Sequence, residues 1–99
     1  MYSQELLKYS SPVVAQKRAY AYLGKTAKLY PASNKHKKYR IWDRKGEKWV
    51  NFGQLGYQDY TRHKDKARRA SYLARSRKIR GDWKRNKYSP NNLSIHILW

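Results

Sequence analysis

Asp59, His63 and Asp65 form the one grouping in this 99-residue chain in which carboxylates flank an imidazole closely enough to orient it for proton transfer. Their place argues for a plainer role, because acids at the start of a helix are favoured by its dipole without any chemistry being involved. His36 lies in a basic loop and His96 in an apolar tail, with no spacing that makes a ligand set, and there is no cysteine to supply thiolates. The expectation is therefore a non-enzymatic protein with no metal site and no cofactor. Gly53-x-x-Gly56 lacks the Gly-Lys-Ser/Thr ending of a phosphate loop and the three-glycine dinucleotide pattern, so it reads as a turn. The start of the helix after it offers free amides that would suit one phosphate.

Charge is the stronger signal. The chain carries 24 Lys and Arg against 6 Asp and Glu, a formal net charge of +18, and the excess is greatest in its last third. Self-repulsion at that charge opposes compaction unless a polyanion neutralises it. The cations gather at Arg68, Arg69, Arg75, Arg77, Lys78, Arg80, Lys84, Arg85 and Lys87, where arginine outnumbers lysine six to three. A guanidinium binds phosphate or carboxylate through two parallel hydrogen bonds, so these nine residues are the expected polyanion- or partner-binding site. A disordered basic tail is excluded by 15% aromatic content, with ten Tyr and four Trp. Most of those rings are expected to build a core that has one Phe and one Met to draw on. No apolar run is long enough to span a bilayer and the first residues lack a signal pattern, so a soluble or peripheral protein is expected.

These side chains need a frame, and the sequence predicts an α+β one. Ser11-Pro12 starts a helix that runs over 12–23 and stops at Gly24, with Val13, Val14, Lys17, Tyr20 and Ala21 as its apolar stripe. Ala27–Tyr30 is a short strand stopped by Pro31. Residues 39–52 form an antiparallel hairpin around Asp43-Arg44-Lys45-Gly46-Glu47, where the glycine suits a positive φ. A long basic helix over about 62–80 follows, capped by Thr61 or Asp59 and ended by Gly81, with Ala67, Ala70, Leu73, Ala74 and Arg77 inward. Ser89-Pro90 opens a short helix or turn from 90, and the tail Leu93, Ile95, Ile97, Leu98, Trp99 is the most apolar stretch. Two parts are expected: an N-terminal arm or helix over 1–27 and a single basic α+β domain over 28–99.

From about Lys28 to Trp99 the chain resembles a family of small basic proteins encoded by nucleocytoplasmic large DNA viruses. The resemblance rests on Phe52-Gly53, on Gly56-Tyr57-x-Asp59-Tyr60-Thr61-x-His63-Lys64-Asp65, on Arg68-Arg69-x-x-Tyr72-Leu73-x-Arg75, and on Trp83 through Ser89-Pro90-Asn91-Asn92-Leu93-Ser94. Ser76 stands where that family usually carries a histidine. The resemblance implies a virion protein, at the capsid inner face or in the core, present in the host cell during assembly. It implies a structural role: a minor capsid protein whose arginine-rich surface bridges acidic capsid subunits, major or minor, or rests against an anionic inner membrane. The alternative is sequence-independent binding and condensation of the genomic DNA. No helix-turn-helix, zinc finger or other base-reading module is present to make that binding selective.

Overall fold

The computed structural model describes residues 2–99. Its elements are α1 (Gln4–Leu7), α2 (Pro12–Leu23), β1 (Leu29–Pro31), β2 (Lys37–Asp43), β3 (Lys48–Gln54), α3 (Tyr60–His63), α4 (Lys66–Ser76), a 3-10 turn (Asp82–Arg85), α5 (Pro90–Leu93) and a π-helical turn (Ser94–Leu98). The three strands form one antiparallel sheet in the order β1-β2-β3, so the fold is α+β as the sequence predicts.

Helix α2 has the predicted bounds for the predicted reasons. The Ser11 hydroxyl accepts from the Val14 amide, Pro12 occupies the first turn, and Gly24 leaves the helix at φ 107 while donating to the Tyr20 carbonyl. Its inner face is another matter. Ala15 and Ala19 are fully buried, whereas Val13, Lys17, Tyr20 and Ala21 of the expected stripe are exposed. Alanine at i and i+4 lets the helix axis approach the apolar tail closely, and that fit outweighs burial of the larger Val13 and Tyr20. Gln16 ties the helix to the sheet: its amide donates to the Ala27 carbonyl (2.9 Å) and its carbonyl accepts from the Leu29 amide (2.8 Å).

The hairpin pairs Ile41 with Val50, Tyr39 with Phe52 and Trp42 with Trp49, and β1 adds Leu29 opposite Ile41. Pro31 is the last strand residue and not a stop beyond it, which an edge strand permits. At the hairpin tip the positive φ falls on Glu47 (φ 51), not on Gly46. The Asp43 carboxylate accepts from the Lys45 and Gly46 amides, and a Cβ at 46 would lie 2.7 Å from its other oxygen. A side chain at 46 would push that carboxylate away from the two amides it holds.

Side chains alternate across the sheet. Leu29, Tyr39, Ile41, Val50 and Phe52 point inward and meet Leu6, Ala15, Ala19, Ala27, Leu93, Ile97 and Leu98 in one core. Residues from 6 to 27 thus supply part of that core, so the N-terminal segment is integral to the domain and not a separate arm. At Gly53 (φ 78) the sheet is closed over by the tail: a Cβ there would meet Leu98 Cδ1 at 2.7 Å.

The long basic helix is broken in two. Lys64 takes a left-handed conformation (φ 55) that ends α3, and Asp65 then caps α4 by accepting from the Ala67 and Arg68 amides. Thus Asp65, and neither Thr61 nor Asp59, opens the basic helix, which ends at Ser76 and not near Arg80. Its inner face is Arg69, Tyr72, Leu73 and Ser76, while Ala67, Ala70, Ala74 and Arg77 are exposed. The Tyr72 ring stacks on Trp99 (4.2 Å between centroids, 10° between planes), and this aromatic contact sets the rotation of the helix.

Candidate polyanion-binding groove

Helix α4, the open end of the β2–β3 hairpin and the chain's last turn enclose a groove of about 990 Å3. Lys37 from β2 and Arg68 and Arg75 from α4 supply its charge, and Tyr57, Tyr72 and Trp99 its apolar wall. Among the described residues none of those lining it is acidic. Arg68 and Arg75 are both exposed, two turns apart on one helix, which is the reach of a phosphate backbone or a row of surface carboxylates.

The nine predicted residues are spread over α4, the segment after it and the exit loop. Arg68 and Arg75 line the groove; Arg77, Lys78 and Arg80 follow the end of α4, all exposed. Lys84, Arg85 and Lys87 ride on the exit loop, where Lys87 Nζ lies 5.1 Å from the Tyr22 ring on α2. That loop is pinned by Asn92, whose buried side-chain amide donates to the Trp83 (2.6 Å) and Asn86 (2.8 Å) carbonyls, a role the sequence reading missed. Arg69 turns inward. Its Nε donates to the Trp99 carbonyl at 2.5 Å and its guanidinium lies 5.4 Å from the Tyr60 ring, so it fastens the tail to α4. Lys37 could not be placed in the groove from sequence, since β2 lies far along the chain from α4, and Tyr57 sits in a loop whose path no local pattern fixes.

The acid–imidazole grouping is taken apart. Asp59 is fully buried and its carboxylate receives Lys38 Nζ (3.0 Å) and the Thr61 hydroxyl. Burial pushes the Lys38 ammonium below the usual lysine range, while Asp59 opposes the shift. Thr61 also accepts from the Ser11 amide and contacts Ser10, whose hydroxyl accepts from Tyr39, so the cluster stitches the N-terminal segment to the sheet. Asp59 stands at the N-cap of α3, but its side chain makes no hydrogen bond to the helix amides. His63 Nδ1 accepts instead from the Asp65 amide (2.8 Å).

His63 and His96 are both held below the ordinary imidazole value of 6.5, first by desolvation. Arg68 adds to this at His63, against Asp65 and Asp59, and Arg18, Arg77 and Lys87 add to it at His96, which stacks on Tyr22 at 4.3 Å. Between 6.5 and the lowered values the unfolded chain therefore binds more protons than the folded one, and stability falls as pH falls through that window. Thermal melts from about pH 7.5 to 5 are expected to show a declining midpoint, and His96→Gln to flatten the decline. An equally steep decline in the variant would contradict this assignment for His96.

The profile of a family of unknown function (DUF5754) matches residues 27–76, half of the chain. The chain belongs to this family. No curated protein and no solved structure matches the chain. The DUF5754 segment runs from β1 to the end of α4, and so holds the whole sheet, the Lys38–Asp59 pair, Lys37, Arg68 and Arg75. It omits α2 and the tail that complete the core, and the exit-loop cations from Lys84 to Lys87.

Proposed function

We propose that this DUF5754 protein is a non-enzymatic structural protein of a large DNA virus particle, a minor capsid protein that holds a polyanionic partner in the groove beside α4. The particle setting rests on the sequence resemblance. The polyanion rests on one observation: Arg68, Arg75 and Lys37 converge on an open groove in which no acid lines the wall among the described residues. Acidic patches of neighbouring capsid subunits are the occupants in this reading, with the anionic face of an inner membrane as a peripheral contact. Among the described residues no helix is long and apolar enough to cross a membrane.

The same three cations along an open groove also support a second reading, in which the groove takes the phosphate backbone of packaged DNA. Reversing Arg68 and Arg75 to glutamate tests the groove. The double variant is expected to melt like the parent, since both side chains are exposed, and to lose retention on polyglutamate, duplex DNA and anionic vesicles. The occupant is whichever of the three the parent holds at the highest salt. Retention of all three by a folded double variant would remove the groove from the account.

A further inference from the structure

The side of the sheet turned away from the core carries Tyr30, Trp42 and Trp49, which remain 37%, 41% and 43% exposed. The register brings them together: Trp42 is opposite Trp49 across β2–β3, and Tyr30 is opposite Arg40 across β1–β2. The rings form one connected row, with Trp49 5.5 Å from Tyr30 and 5.4 Å from Trp42, both edge to face. The Arg40 guanidinium lies 4.6 Å from the Trp49 ring and the Lys28 ammonium 5.7 Å from that of Tyr30. None of the three rings belongs to the core cluster. A contiguous exposed apolar patch rimmed by polar or charged groups is the usual mark of an interaction site.

The chemistry of this face selects among occupants. An acidic protein would satisfy Arg40 and Lys28 and leave the rings without a use. A bilayer would require side chains that stand out and enter hydrocarbon, whereas these rings lie half-buried on the strands with a guanidinium among them. A DNA duplex keeps the faces of its bases stacked inside. Single-stranded nucleic acid presents both phosphates for Arg40 and Lys28 and free base faces for the rings. We propose that this face of the sheet binds single-stranded nucleic acid, with Trp42 and Trp49 stacking bases and Arg40 and Lys28 holding the backbone. The site is separate from the α4 groove and does not depend on what the groove holds.

The test uses the full chain and a labelled oligothymidylate of about 12 nucleotides, with heparin as a polyanion that has no bases. Trp42→Leu and Trp49→Leu keep apolar bulk on the strands and remove the stacking surface. Each is expected to weaken oligothymidylate binding about tenfold and to leave heparin binding unchanged. In the Arg68→Glu, Arg75→Glu protein, whose groove is disabled, the oligonucleotide, and not heparin, should still quench tryptophan fluorescence, a readout that stands even if a leucine variant fails to fold. Unchanged oligothymidylate affinity in folded leucine variants, an equal loss of heparin binding, tighter binding of duplex than of single strand once the groove is disabled by Arg68→Glu and Arg75→Glu, or no quenching in that groove-disabled protein would each overturn the proposal.

Discussion

A chain cut after Ser94 is expected not to fold. The cut removes Ile95, Ile97, Leu98 and Trp99, of which Ile97 and Leu98 are fully buried between α2 and the sheet. Truncating one such aliphatic side chain in a packed core costs about 2–5 kcal/mol. Losing several together exceeds the margin of about 5–15 kcal/mol within which domains are stable. Trp99 adds the stack on Tyr72 and the carbonyl that Arg69 holds, so α4 would lose its seat as well. Far-ultraviolet circular dichroism and a thermal melt check this. A cooperative melt near the parent's midpoint would show that the tail is an appendage to a core that stands without it. Removal of residues 1–5 should matter less, because the buried Leu6 remains.

Lys38→Met is expected to lower the melting midpoint by about 15 °C or more. The ammonium and the Asp59 carboxylate are 3% and 0% exposed, and deleting one member of a buried pair leaves the other as an uncompensated charge, at a cost of about 3–5 kcal/mol. In a domain of this size each kcal/mol moves the midpoint by about 4–8 °C. The double variant Lys38→Met, Asp59→Asn removes both charges and should regain most of the loss. A single variant that melts with the parent would mean that Asp59 reaches water, against the burial described above. The pair also explains the loop between Gly53 and Tyr60, which is stitched to the N-terminal segment through Tyr9, Ser10 and Ser11.

The bounds of α2 were legible, and those of the hairpin to within two residues at its open end, because local chemistry fixes them: a Ser-Pro start, a glycine stop, and aromatic and β-branched runs about the turn from Asp43 to Glu47. Facing was harder to read. Val13 and Tyr20 make a convincing apolar stripe on paper, yet Ala15 and Ala19 are inside, since the tail arriving from seventy-odd residues away needs a close approach more than a large side chain. The break at Lys64 was hidden because a lysine in the left-handed region has no compositional mark, whereas glycine would have announced it. Arg69 reads as one more surface cation until Trp99 is seen beside it. Pairing of Lys38 with Asp59, and the meeting of Lys37, Tyr57 and Arg75 in one groove, depend on tertiary contacts that no local pattern encodes.

The central claim is that Arg68 and Arg75 neutralise a polyanion in the groove beside α4. Its most direct measurement is the affinity for duplex DNA against salt concentration, for the parent and for the Arg68→Glu, Arg75→Glu variant. Each phosphate neutralised contributes about −0.9 to the slope of log K against log salt, so the variant's slope should be shallower by about two, with weaker binding throughout. An identical slope and affinity in a variant that melts like the parent would place the polyanion elsewhere on the molecule and contradict the account.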